Sequence, residues 1–160
     1  MYKTQNSIPE KTRIQVIGLL QERLADSVDL FTQSKQAHWN VKGPDFIALH
    51  KLFDEIAEES ESYADLIAER IVQLGGVAEG TLAVVSERSA MPEYPVLVPT
   101  SRDHVGALAH TLATYSELTR AGIAKINEIQ DAGTADILTE ISRGADKYLW
   151  FVEAHIQTER

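Results

Sequence analysis

His38, His50, Asp54, Asp65 and Glu69 are the side chains in this sequence whose types and spacing could share a transition-metal ion. The chain has no cysteine, so any such ion must be held by imidazole and carboxylate. His50 and Asp54 are four residues apart, as are Asp65 and Glu69. In a helix each pair shares one face and can converge on one ion. The two pairs lie eleven residues apart, roughly 16 Å along a straight helix. Ligands sit about 2 Å from their ion, so a single ion cannot bridge the two pairs. A second copy, antiparallel across a two-fold axis, would set residues 50 and 54 of one subunit against 65 and 69 of the other. The spacing therefore predicts a metal site and an oligomer together.

The elements that must position these residues are helices. Ser7, Pro9 and Glu10 form an S-x-x-E pattern that predicts a capping box and a first helix from about residue 8. Its apolar stripe is Ile17, Leu20, Leu24, Val28 and Phe31, ahead of His38 and a break at Gly43-Pro44. A second helix is expected from Asp45 to Leu74, ending at Gly75-Gly76, with a core stripe of Leu49, Phe53, Ile56, Tyr63, Ile67, Ile71 and Leu74. The ligand-type residues occupy a sector centred roughly 150° from that stripe, together with Ile47, Ala68 and Val72. Such a mixture is expected of a second contact surface. Residues 77 to 100 hold three prolines and read as a long crossover, with a short helix at Leu82 to Arg88. A third long helix is expected from Ser101 to Gln130, and a fourth, capped by Thr134, to about Gln157. Close helix approach is the expected reason for Gly106, Gly122 and Gly144 inside these helices. The fold class is all-α, a four-helix bundle of residues 8–160 behind a short extension of residues 1–7.

The 160 residues, 24% charged and 44% apolar, suit one globular domain. No apolar run approaches the ~20 residues of a membrane span, and the N-terminus lacks an apolar signal region, so a cytoplasmic location is expected. The net charge of −9 opposes broad attraction to nucleic acid and favours cations.

The run His38-Trp39-Asn40-Val41-Lys42-Gly43, followed by Phe46, Leu49-His50, Phe53-Asp54, Asp65 and Ala68-Glu69-Arg70, resembles the Dps-type miniferritins. Thr134-Ala135-Asp136 and Leu149-Trp150-Phe151 extend the likeness to nearly the whole chain. The resemblance implies a ferritin-like bundle assembled into a hollow dodecameric shell, with ferroxidase centres on two-fold interfaces. His38, His50 and Asp54 would come from one subunit, and Asp65 and Glu69 from its neighbour. Iron is the implied metal, zinc a second candidate for the same donors, and hydrogen peroxide the implied oxidant, with oxygen the other. Trp39 stands beside a ligand and is expected to protect the centre or donate an electron, and Trp150 to be a core aromatic. Asp131, Asp136 and Glu140 match acids that line a three-fold pore admitting iron, although acids at a helix N-terminus are favoured there anyway.

His104, His110 and His155 show no partner pattern and read as surface or packing residues; Glu58 and Glu61 read as solvated or interface acids. The rival reading is a nucleoid-compacting shell that binds DNA, with metal binding secondary. Its basic groups would be Lys3, Lys11 and Arg13, because the terminal Thr158-Glu159-Arg160 offers no basic tail. A helical adaptor without metal is the third.

Overall fold

A spacing of three and four between apolar residues buries one stripe of a helix, and the second long helix shows this most clearly. In the computed structural model, which describes residues 1–157, all seven of its expected core residues are buried, none more than 3% exposed. Each large apolar side chain so buried contributes about 1.5–3 kcal/mol of transfer free energy. The elements in order are α1 (Glu10–Asn40), α2 (Phe46–Gln73), α3 (Leu82–Arg88), α4 (Ser101–Ile129) and α5 (Ala132–Glu153). α1 packs along α2, α4 packs along α5, and α1 also meets α4 across the core. With the short α3 in the crossover between α2 and α4, this is a ferritin-like four-helix bundle. No described helix is long and apolar enough to cross a membrane.

α1 differs from expectation in two respects. The Ser7–Glu10 capping box does not form: Pro9 is the N-cap, with no side-chain cap bond. The start is held instead by Arg13, which donates to the carbonyls of Ile8 (3.0 Å) and Leu74 (2.9 Å). The buried face is also rotated. Val16, Leu20, Leu24, Leu30 and Ala37 are in the core, while Ile17, Val28 and Phe31 lie half-buried on its flank. Leu19 and Ala25 are buried as well, and Arg13, Arg23, Asp26, Ser27, Gln33 and Ser34 fill the remaining buried positions. Apolar periodicity could not reveal a face that is partly polar.

Polar side chains of α1 fasten the crossover. Gln21 donates to the Val77 carbonyl and accepts from the Glu79 amide. Asp26 accepts from the Ala90 amide, Asp29 from the Ser89 hydroxyl, and Gln33 donates to the Pro92 carbonyl. Backbone that makes no helical bonds is thereby satisfied by α1. Arg23 pairs with the fully buried Asp26 at 2.8 Å.

At the other end of the bundle, Asp131 rather than Thr134 caps α5, accepting from the Thr134 amide, and the helix ends at Glu153 rather than near Gln157. Gln130 takes the left-handed conformation, φ 66°, that ends α4. Gly144 is a true close approach, since a Cβ there would meet the Tyr63 hydroxyl at 1.9 Å. Gly122 faces Leu138 and Leu19, whereas Gly106 has open space within 4 Å, so close packing does not account for it. Trp150 is 61% exposed with its ring against Phe151, not a core aromatic.

Candidate metal centre

The last turns of α1 and the first turns of α2 bring three of the five ligand-type residues together. His38 Nδ1 lies 2.7 Å from the His50 carbonyl, and His50 Nδ1 lies 2.8 Å from the His38 carbonyl. A carbonyl can only accept, so both Nδ1 atoms carry a proton, and in the neutral rings Nε2 is the nitrogen whose lone pair is left for a metal. The rings stack at 3.7 Å between centroids. Asp54, one turn on from His50, places a carboxylate oxygen 3.8 Å from His38 Nδ1. Lys35, one turn before His38, donates to the same oxygen at 2.5 Å. The Lys35 ammonium beside Asp54 holds its carboxyl below the usual range, opposed by slight burial and helped by His38. Lys35 was not foreseen, although its place three residues before His38 puts it on the same helical face.

Asp65 and Glu69 stand exposed farther along α2, on the sector that also carries the exposed Ile47 and Val72. Glu69, Ala68 and Val72 line a shallow recess of about 360 Å³ with Gln73 and Ala78. Among the described residues, no three His, Asp or Glu side chains are grouped so that they could hold an ion within one chain. Trp39 is 66% exposed and lines a groove of about 840 Å³ between α1 and the crossover, with Phe31, Lys35, Met91 and Tyr94 also on its walls. Glu58 and Glu61 are exposed on α2.

The three acids assigned to a pore separate. Asp131 is buried, bound by Arg70 at 2.9 and 3.1 Å and by the Thr134 hydroxyl at 2.6 Å. Burial pushes its carboxyl up, but the Thr134 and Arg70 bonds outweigh that and hold it below its ordinary value. It is occupied in tying α2 to α5. Asp136 and Glu140 are exposed and four residues apart on α5. Of the three unassigned histidines, His110 and His155 are exposed, whereas His104 is 2% exposed and bonded to Tyr94. A Tyr in a proline-rich loop and a His one turn into the next helix gave no spacing signal.

A ferritin-like domain model matches residues 17–160. A protein of Agrobacterium fabrum called "DNA protection during starvation protein" is 44% identical over 156 residues, covering 98% of this chain and 96% of the relative. Among solved structures, a tetragonal form of Mycobacterium smegmatis Dps superposes with a TM-score of 0.92 at 33% identity, covering 98% of this chain and 95% of that one. DpsA14 from Streptomyces coelicolor gives the same TM-score at 34% identity, covering 98% and 92%.

Proposed function

The chain belongs to the Dps-type miniferritins, and we propose that it oxidises Fe(II) at centres shared between subunits and stores ferric mineral inside a dodecameric shell. The observation that carries this reading is the division of α2. At one end His50 and Asp54 lie beside His38 of α1, and the other end presents Asp65 and Glu69 to solvent on the same helix. Across a two-fold axis these halves would complete each other. Imidazole and carboxylate suit Fe(II), and the carboxylates also stabilise Fe(III) as charge rises. The same donors would accept zinc, which as a non-redox ion should compete rather than turn over.

Hydrogen peroxide is the expected oxidant. One peroxide takes one electron from each of two Fe(II) ions and, with two protons, leaves as water, so no hydroxyl radical is released. Glu69 would bind iron centrally. Iron would enter past Asp136 and Glu140, whose charges, repeated around a three-fold axis, draw cations inward. Asp136→Asn should therefore slow uptake more than oxidation.

Solution mass combined with anaerobic stopped-flow mixing of Fe(II) and peroxide tests assembly and chemistry together. A shell-sized particle with growing ferric absorbance is expected. Small species without that absorbance would refute the proposal.

The DNA-compacting reading finds little support in this chain. Arg13 is buried and committed to backbone carbonyls, and the Tyr2 amide donates to the Gly75 carbonyl at 2.7 Å. Lys3 and Lys11 remain exposed; Thr158-Glu159-Arg160 lies outside the described residues. A gel shift at physiological salt should show no retention, and salt-resistant retention would favour the rival.

A further inference from the structure

Five tyrosines are present, at 2, 63, 94, 115 and 148, and their phenols differ in what they touch. Tyr115 shares a bond with the Ser27 hydroxyl, and the buried Tyr63 hydroxyl has no hydrogen-bond partner. Tyr94 alone meets a nitrogen base among the described residues: its hydroxyl lies 2.7 Å from His104 Nδ1. Both side chains are nearly sealed, 8% and 2% exposed, and their rings are roughly parallel, 23° apart.

Burial pushes the His104 pKa down, so the imidazole is neutral and Nδ1 is free to accept the phenolic proton. Nε2 then carries the other proton. The Asn40 carbonyl acts on it as a loose acceptor, without full hydrogen-bond geometry. Asn40 is two residues beyond His38 and next to Trp39, and Tyr94 shares the walls of the Trp39 groove. A phenol that loses an electron becomes a very strong acid, so it oxidises readily only where a base is already in place.

We propose that Tyr94 and His104 form a proton-coupled electron donor that quenches one-electron oxidants arising beside the metal centre. This rests on the ferroxidase reading. When peroxide meets a lone Fe(II), a hydroxyl radical or an equivalent one-electron oxidant forms. Tyr94 gives up one electron, by way of Trp39, and its phenolic proton moves to His104 Nδ1. The hydroxyl radical, with that electron and a solvent proton, becomes water. A further Fe(II) then reduces the phenoxyl radical, and His104 returns the proton. The net reaction converts one Fe(II), one hydroxyl radical and one proton into Fe(III) and water, with the pair restored.

Freeze-quench electron paramagnetic resonance on the assembled protein, given limiting Fe(II) and excess peroxide, tests this. The wild type should show a phenoxyl signal that changes with ring-deuterated tyrosine. Tyr94→Phe should lose it, while the initial rate of Fe(II) oxidation stays within about twofold. His104→Gln should lower the radical yield and, in azide-radical pulse radiolysis without iron, slow phenoxyl formation. The iron-free arm separates the two ideas: absent Fe(II) oxidation sinks the ferroxidase reading alone, whereas phenoxyl formation in His104→Gln as fast as in wild type without iron, or an unchanged phenoxyl signal in Tyr94→Phe during normal oxidation, overturns the relay. Should Tyr94→Phe fail to assemble, mass mapping of turned-over wild type decides. Oxidation products concentrated at Tyr94 support the pair, and products confined to other tyrosines overturn it.

Discussion

α2 carries four of the five residues of the proposed centre, yet its two ends are built differently. At its N-terminal end, His50 and His38 are locked by reciprocal bonds to each other's backbone, and Asp54 is held by Lys35. At its C-terminal end, Asp65 and Glu69 are exposed. On the proposed assignment the difference follows from ligand chemistry. An imidazole binds metal through one nitrogen in one tautomer and so must be aimed beforehand. A carboxylate offers two equivalent oxygens and can be aimed by its partner and the ion. The rigid half can wait in the subunit, and the adaptable half can be set at assembly.

The largest expected effect is loss of chemistry from either end. His50→Ala and Glu69→Ala should each slow initial iron oxidation by roughly ten- to a hundredfold, read by stopped flow on intact shells. Stability should separate the two. His50→Ala also removes the bond from its Nδ1 to the His38 carbonyl, which joins α2 to α1, costing about 1 kcal/mol, whereas Glu69→Ala should stay within about 0.5 kcal/mol. Equal losses of stability would break the contrast between a rigid and an adaptable half.

Mixing sharpens it. Co-assembling equal amounts of a His50→Ala/Asp54→Ala subunit with an Asp65→Ala/Glu69→Ala subunit leaves one intact centre in each mixed pair. About a quarter of wild-type activity should return. No recovery in mixed shells, confirmed by mass, would mean that the centre is not shared.

Between the two ends, Tyr63 reaches from the core face of α2 to Gly144. Gly144→Ala should destabilise by about 1–3 kcal/mol, and adding Tyr63→Phe should recover most of it. The thermal midpoints of the three variants check this.

The smallest effect concerns the residue after Glu69. Asp131→Ala frees Arg70 and uncaps α5, at a cost of about 1–2 kcal/mol. The Asp131 pKa is lowered in the fold, so its contribution is complete above the ordinary value of 3.8 and drains as pH falls through the lowered one. The gap between wild type and variant in thermal unfolding should hold from neutrality down to about pH 4 and shrink below it. A gap that widened in acid would contradict the assigned direction.

How much of this was legible in the sequence depended on the kind of signal. The seven core residues of α2 were readable because apolar side chains at a helical period have one place to go. α1 was misread by part of a turn, since Arg23, Asp26, Ser27 and Ser34 occupy its buried face and look like solvent positions. The ligand types and their split are an expectation from spacing, to which the fold adds only that His38, His50 and Asp54 lie near one another. Lys35 on Asp54, Arg70 on Asp131 and Tyr94 on His104 were not legible. Arg70 and Asp131 are 61 residues apart, and Tyr94 lies in the crossover, so these meetings depend on how the helices pack and where the crossover lies. The Ser7–Glu10 pattern shows the reverse hazard, a motif present in letters and unused in the fold.

The fastening of residues 77 to 92 onto α1 bears on which substitutions a descendant of this chain would tolerate. Gln21, Asp26 and Gln33 address main-chain atoms of Val77, Glu79, Ala90 and Pro92. Main-chain groups survive almost any replacement, so the side chains of that stretch, the buried Val85 and the Asp29-bound Ser89 apart, are at liberty to drift, while the helix residues that grip it are not. The history of the strap should thus be written in the helix beneath it.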